Sequence, residues 1–450
     1  MSFRAFQILP ICSAAAVLFS GCSLLIDPNN ELLGGGVTIV DDAGADTSVQ
    51  PPPPGDRDAT VVPMPGEPDA AVVPPGPGGY DPANADSDIW DESAESLEIV
   101  ATELTFDTTE CRASSARSEV REQDSGGDEV FCAIYVRDLT IREDGVLRVS
   151  GDLPFAIFAS GDVEIAGVLD LSGVGIQPGA GGALGGPWGD AVRGSGPGGG
   201  GGGEHEGNYD DGGGGGASFC GRGGPGGAGG TAAGGMPGAV QTPDALEPLR
   251  AGSGGGRGRG RIREVRGDTV GNAGRGGAGG GALQISALGN IRISGRVLAG
   301  GGGGEEGAAN FGAENWGSGG GGGSGGAVLL QAPSISLLAG SVNVGGGGGG
   351  GSSSNYVAGG SGVDGRESLA AAPGGDSAGD AYGAAGGNGA GGDSGGVGDR
   401  GRGNTREGAN GGGGGGGSGC IVLRSDDLRV TDAFAFSPES DEIRQELPLN

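Results

Sequence analysis

The chain has 450 residues, and 114 of them are glycine, several times the usual share of ~7%. No strict Gly-X-Y period runs through it, which excludes collagen, and only 4% of residues are aromatic, which argues for a narrow core rather than several ordinary domains. The formal charge of −31 argues against nucleic acid or an anionic membrane surface as partner, and the absence of lysine removes Schiff-base, general-base and P-loop lysine chemistry.

Arg4 precedes an apolar run from Ile8 to Phe19, the pattern of a signal peptide over residues 1–21. The run is too short for a bilayer-spanning helix. It ends in Leu18-Phe19-Ser20-Gly21-Cys22, which resembles the lipobox of bacterial lipoproteins, with Phe19 where that family has leucine. The resemblance implies acylation of Cys22 on its thiol and freed amine, with the lipid bilayer as partner. At about 0.8 kcal/mol per buried methylene, two or more chains anchor stably. Ser23 rather than Asp follows the cysteine, so the resemblance implies delivery to the outer membrane. An ordinary secretory signal is the alternative.

Residues 22–96 read as a disordered tether. Pro51-Pro52-Pro53-Pro54 and six further prolines from Pro63 to Pro77 favour polyproline II, and acidic residues far outnumber Arg57. A body over residues 97–450 follows. Period-2 alternation runs through Cys132 to Val136, Leu139 to Ile141 and Val146 to Val149, then again from Phe155, Ala282, Ala327 and, shortened, Cys420. Three short strands recurring in one order over about twenty residues predict stacked units. The expected fold is all-β, a right-handed parallel β-helix of about five coils. A hairpin-based sandwich is the alternative. Turn glycines such as Gly145, Gly161, Gly167, Gly295 and Gly340 are expected to tolerate positive φ.

Long glycine-rich insertions at about 174–280, 301–325 and 346–419 each follow a third strand, and their return junctions resemble one another. All three should therefore leave from one edge. They read either as flexible loops or as extended strands packed laterally through backbone hydrogen bonds. The second reading resembles, in composition alone, the polyglycine bundles of some phage adhesins and antifreeze proteins. Trp188, Tyr209, Phe219, Phe311, Trp316, Tyr356 and Tyr382 are spaced to pin such a layer.

Cys12 leaves with the signal peptide. Cys111, Cys132, Cys220 and Cys420 remain, an even number suited to an oxidising compartment. The pairing Cys111–Cys132 brackets a polar excursion and leaves Cys220–Cys420. Zinc is disfavoured, since the chain has one histidine and no CxxC pair.

Several motifs are products of the composition. Gly392-Asp393-Ser394-Gly395-Gly396 matches the surroundings of a serine-protease nucleophile, but the sole histidine, His205, lacks that family's context. GxGxxG patterns lack a strand–helix frame, and residues 386–393 lack the spacing of calcium-binding nonapeptides. Asp210-Asp211 and Glu305-Glu306 suit a solvated face better than a cation site. Arg257, Arg259, Arg261, Arg263 and Arg266 form a basic stripe suited to pairing with acidic surface or anionic glycan; Arg266-Gly267-Asp268 is fortuitous. Carboxylates on one coil (Asp162, Glu164, Asp170) are the candidates for an enzyme site.

The lipobox, acidic linker and repeated strand phrase together resemble glycine-rich β-solenoid surface lipoproteins of myxobacterial type. The expected function is non-catalytic: a lipid-anchored envelope protein presenting a glycine-rich surface for adhesion or envelope structure, without metal or other cofactor, and with envelope or extracellular glycan as the candidate partner. A β-helix polysaccharide lyase or hydrolase is the alternative. Cys22→Ser is expected to move the protein from the membrane to the soluble fraction. Unchanged fractionation would sink the anchor.

Overall fold

The computed structural model describes residues 80–449, apart from short stretches at 91–93, 101–102, 113–115, 124–128, 188–191, 207–209, 242–243, 261, 266–267, 272, 310–315, 355–356, 367–368, 380, 393, 395 and 440–443. The expected signal peptide, Cys22 and the proline-rich part of the tether lie outside the described residues.

The alternating segments form short strands that recur in a fixed order. β1 (Leu97–Ile99), β2 (Glu103–Asp107) and β3 (Arg117–Glu122) come first. The first full pass is β4 (Val130–Val136), β5 (Leu139–Ile141) and β6 (Val146–Ser150); the second is β7 (Phe155–Ala159), β8 (Val163–Ile165) and β9 (Val168–Asp170). Inside the first insertion lie two small hairpins, β10 (His205–Glu206) with β11 (Asp210–Asp211), and β12 (Ile262–Val265) with β13 (Asp268–Gly271). The passes resume with β14 (Ala282–Ala287), β15 (Asn290–Ile293) and β16 (Arg296–Leu298), then β17 (Ala327–Gln331), β18 (Ser334–Leu337) and β19 (Gly340–Asn343). The last are β20 (Cys420–Arg424), β21 (Asp427–Val430), β22 (Phe434–Ser437) and β23 (Arg444–Leu447).

Each pass adds one strand to each of three sheets. The sheets run β1-β5-β8-β15-β18-β21, β2-β6-β9-β16-β19-β22 and β23-β20-β17-β14-β7-β4-β3. Every pairing within them is parallel except β3 with β4, which closes one edge of the third sheet. The protein is therefore all-β with stacked parallel sheets. Among the described residues the only helical turns are Ser87–Ile89 and Asp244–Leu246.

The register carries like residues onto like. In the first sheet Ile99, Ile141, Ile165, Ile293 and Leu337 stand side by side. In the third, Ile134, Ile157, Ile285, Leu330 and Leu423 do the same. In the second, Leu104, Leu147, Leu169, Val297 and Val342 form the row. These rows meet in one buried cluster. A one-residue slip would turn a whole row outward, so burial fixes the register.

The turn glycines do not follow the expectation of positive φ. Of Gly145, Gly161, Gly167, Gly295 and Gly340, only Gly340 has one, at +127°. They are glycine for a different reason. A Cβ on Gly167 would strike the carbonyl oxygen of Gly145, one on Gly295 that of Gly167, and one on Gly340 that of Gly295. One corner is thus a column of backbone-on-backbone contacts.

The central strands of the seven-stranded sheet are buried on both faces. Tyr80, Ile89 and Trp90, which composition assigns to the tether, pack on its outer side against Phe131, Tyr135 and Phe158. Tyr80 Oη donates to the Ala287 carbonyl at 2.7 Å. Gln331 Oε1 accepts the Ala83 N–H at 2.8 Å, and Gln284 Nε2 donates to the Ala83 carbonyl at 2.5 Å. Ordered packing therefore begins by Tyr80, ahead of the first strand. These paired amides let two glutamines lie fully buried in strands. Ile285→Ala should cost about 2–5 kcal/mol of stability in urea unfolding, the range for truncating a packed core side chain.

Candidate functional site

The first insertion leaves after β9, the second after β16 and the third after β19, and these strands are neighbours in one sheet. They return into β14, β17 and β20, neighbours in another. The topology therefore gathers all three insertions at one side of the body, where they build a shared bundle.

The backbone hydrogen bonds of that bundle have a period of three. In the segment 211–218, Gly212, Gly215 and Ser218 donate to the segment 198–204; Gly213 and Gly216 donate to 224–227; Gly214 and Ala217 donate to 319–322, all at 2.8–2.9 Å. The same segment accepts bonds from three others, through Gly235 and Gly238, through Gly256 and Arg259, and through Gly411, Gly414 and Gly417. Successive N–H groups thus point a third of a turn apart and always leave their own segment. That is the geometry of a threefold extended helix, which has no internal hydrogen bonds and leaves every backbone group for a neighbour. Segments 317–326 and 411–419 behave alike, each bonded to six neighbours and both adjacent to 211–218. These three form the centre of the bundle.

Glycine is required there by proximity and not by φ, since no glycine of these three segments has a positive φ. A Cβ on Gly214 would meet the carbonyl of Gly256, on Gly321 that of Gly215, and on Gly413 that of Gly320, all closer than 3.0 Å. The central segments accordingly carry almost only glycine, alanine and serine. At the margin the pattern relaxes to every third residue. Arg222, Pro225 and Ala228 recur along one segment, separated by paired glycines, and Ala233, Met236 and Ala239 along another, separated by Gly234-Gly235 and Pro237-Gly238. Most of the larger side chains stand where the lattice ends, with Arg257 a buried exception.

Short polar side chains complete the bonding. Ser218 Oγ accepts from Gly223 N at 2.9 Å and donates to the Gly238 carbonyl at 2.7 Å. Asp364 Oδ1 accepts the N–H groups of both Gly175 and Gly303 at 2.8 Å. The two acidic pairs also serve the bundle. Asp210 accepts from Thr231 N and Oγ1 at 2.9 Å each and from Gly408 N at 2.7 Å. Burial would raise its pKa, but these bonds and the nearby His205 hold it below the ordinary carboxylate range. His205 Nδ1 lies 2.6 Å from Asp211 Oδ1. Glu305 pairs with Arg275 at 2.5 Å, and Glu306 accepts from Ser361. Among the described residues no three His, Cys, Asp or Glu side chains converge as a metal site.

The structure joins Cys111 to Cys132 and Cys220 to Cys420, each with Cα atoms 5.5 Å apart. The first lies in the sheet core beside Phe106 and Phe155. The second ties a bundle segment to β20, and Phe219 beside it is buried against Ala327 and Leu329. Of the other scattered aromatics, Trp316 packs on Tyr382 with ring centroids 5.9 Å apart; Trp188, Tyr209, Phe311 and Tyr356 lie outside the described residues.

The three strand carboxylates are not brought together. Glu164 stands in β8 between Thr140 and Arg292, and Asp162 accepts from Asn290 N at 2.7 Å. Asp170 is on a different sheet, buried between Arg366 at 2.7 Å and Arg148 at 3.2 Å, where it clamps the third insertion to the body. Ser394 Oγ accepts the Gly391 N–H, with Asp393 and Gly395 outside the described residues, while His205 sits in the β10–β11 hairpin. The arginine stripe is not one exposed face. Arg257 is buried within the bundle, where burial and Arg259 lower its pKa; Arg261 and Arg266 lie outside the described residues. A cleft of about 420 Å³ separates Pro154 of the body from Gly181 and Pro197 of the bundle, with Arg250 and Glu129 paired at its rim.

Comparison with protein-family models, curated proteins and solved structures finds no match to this chain.

Gly321→Ala should destabilise the protein by about 1–3 kcal/mol or more, as overpacking does. Gly403→Ala, whose Cβ would lie 3.2 Å from the Ala228 carbonyl, should cost far less. Equal unfolding midpoints for the two would contradict the lattice. Asp210 is the depressed case, so its contribution is present above the unfolded value of about 4 and is lost as pH falls through the lower folded value. Asp210→Asn should flatten the acid limb of the stability profile there.

Proposed function

We propose that the protein is a lipid-anchored component of the cell envelope, held at the outer membrane through Cys22, that presents its glycine bundle as a rigid non-catalytic surface for adhesion or envelope structure. In this reading the three sheets are the faces of a right-handed parallel β-helix of about five coils, since crossovers between parallel strands are right-handed almost without exception. The residues ahead of Tyr80 act as the spacer.

The observation that carries the reading is the six-neighbour packing of 211–218, 317–326 and 411–419. A bundle whose centre spends its backbone groups internally has little conformational freedom left. Apart from the buried Arg257, its larger side chains stand mainly on the margin, as binding residues do on a scaffold. The same packing accounts for the polar groups that resemble catalytic motifs, because Asp170, Asp210, Asp211 and Ser394 each hold backbone or side-chain partners in place.

The test uses beads coated with the full chain. Binding to cells or to isolated envelope polysaccharide is expected for the wild type. It should be lost on replacing residues 346–419 by a short turn, with the disulfide Cys111–Cys132 and a cooperative sheet core retained. Release of new reducing ends or unsaturated uronates from any polysaccharide would favour the enzyme reading and overturn this one.

A further inference from the structure

About half of the described arginines stand in ion pairs, among them Arg137 with Asp138, Arg142 with Glu98, Arg250 with Glu129, Arg275 with Glu305 and Arg366 with Asp170. Arg222, Arg400, Arg402 and Arg406 are exposed and form no ion pair among the described residues. They are far apart in sequence, and the lattice brings them together. Segment 396–404 runs parallel beside 222–228: Gly398, Gly401 and Asn404 donate to the carbonyls of Arg222, Pro225 and Ala228, each at 2.9 Å. On its second flank Asp399 and Arg402 donate to Asn388 and Ala385. The third flank, that of Arg400 and Gly403, is exposed.

The register sets the spacing. Arg222 is level with Gly398, so Arg400 and Arg402 follow two and four residues further along. At about 3.1 Å per residue the three guanidinium stems span roughly 12 Å. Arg406 stands at the turn beyond Asn404, whose Nδ2 donates to the Ala381 carbonyl at 2.8 Å. Next to Ala381 is Tyr382, packed on Trp316, and both rings are half-buried. Three carboxylates lie along this edge: Asp399, whose Oδ2 accepts from Asn388 Nδ2 at 3.0 Å, Glu407, and the buried Asp210, whose Oδ1 accepts the Gly408 N–H. The four arginines still leave the edge positive in a chain whose formal charge is −31.

We infer that this edge binds an acidic polysaccharide, one bearing carboxylates or sulfates at intervals along a linear chain. The inference rests on the adhesion reading and names its ligand class. Each exposed charge pair contributes little alone, so a small anion would not be held. A polymer meeting three or four guanidinium groups on a rigid support gains from all of them at once, because the lattice has already ordered the support. The apolar ring faces of Trp316 and Tyr382 suit the C–H faces of sugar rings.

The experiment measures binding of the full chain to polygalacturonate, dextran sulfate, neutral dextran and oligo-dT. The acidic polysaccharides should bind, and binding should weaken as salt screens the charges. Arg222→Ser/Arg400→Ser/Arg402→Ser should lose at least tenfold in affinity at unchanged thermal stability. The triple lysine variant should recover most of it. Arg292→Ser/Arg296→Ser, which removes exposed charge from the sheets, should leave affinity unchanged. No binding by the wild type, equal loss in both serine variants, or tighter binding of oligo-dT or neutral dextran would each overturn the inference. If the triple variant still binds polygalacturonate while deletion of 346–419 abolishes adhesion, this inference fails and the adhesion reading stands.

Discussion

The structure depends on contact between backbones with no side chain between them. In the central segments of the bundle the space where a Cβ would stand is filled by a neighbouring carbonyl, as at Gly214, Gly321 and Gly413. The same contact recurs at the corner of the strand body, where Gly145, Gly167, Gly295 and Gly340 stack on one another's backbones. Ordering glycine is costly in conformational entropy. The offset comes from hydrogen bonds that leave few backbone groups without partners, and from the close packing of peptide planes that such short separations permit.

Two kinds of order are joined at one corner. In the body, apolar side chains set the register and water exclusion drives assembly. In the bundle, polar backbone groups do that work, and hydrophobic side chains are nearly absent. The join is secured by covalent and ionic ties as well as by topology. Cys220–Cys420 links a bundle segment to β20 and Asp170 receives Arg366 from the third insertion, while Asp364 ties the three insertions to one another by accepting from Gly175 and Gly303. A surface built this way is stiff, and its chemistry is confined to its margin, where Arg222, Arg400, Arg402, Trp316 and Tyr382 stand.

The strand phrases were legible because their period-2 alternation is dictated by which side chains face the core. The exit and return points of the insertions were legible for the same reason, since they are the ends of those phrases. Other features were not. Residues 80–90 read as part of a linker because few apolar residues occur there, yet Tyr80, Ile89 and Trp90 cover a sheet face. The turn glycines were read through φ, whereas contact with the previous pass explains them. The arginine edge was missed because Arg222 and Arg400 are almost 180 residues apart. A signal for it was present: paired glycines with a third variable residue, as in Gly221-Arg222-Gly223-Gly224-Pro225 and Gly234-Gly235-Met236, mark segments that have an outer side.

The amino-acid order by itself determined the all-β character, the order of the strands, the recurrence of the passes and the places where glycine tracts interrupt them. Those properties follow from local periodicity and from the removal of side chains. Whether the tracts would be loose or packed was decided only by the tertiary structure. A glycine segment offers the same N–H and C=O groups to water as to a neighbour, so its state depends on whether other segments lie alongside at hydrogen-bonding distance. Stacking β9, β16 and β19 in one sheet supplies that proximity, and with it the bundle, its margin and the side chains gathered there.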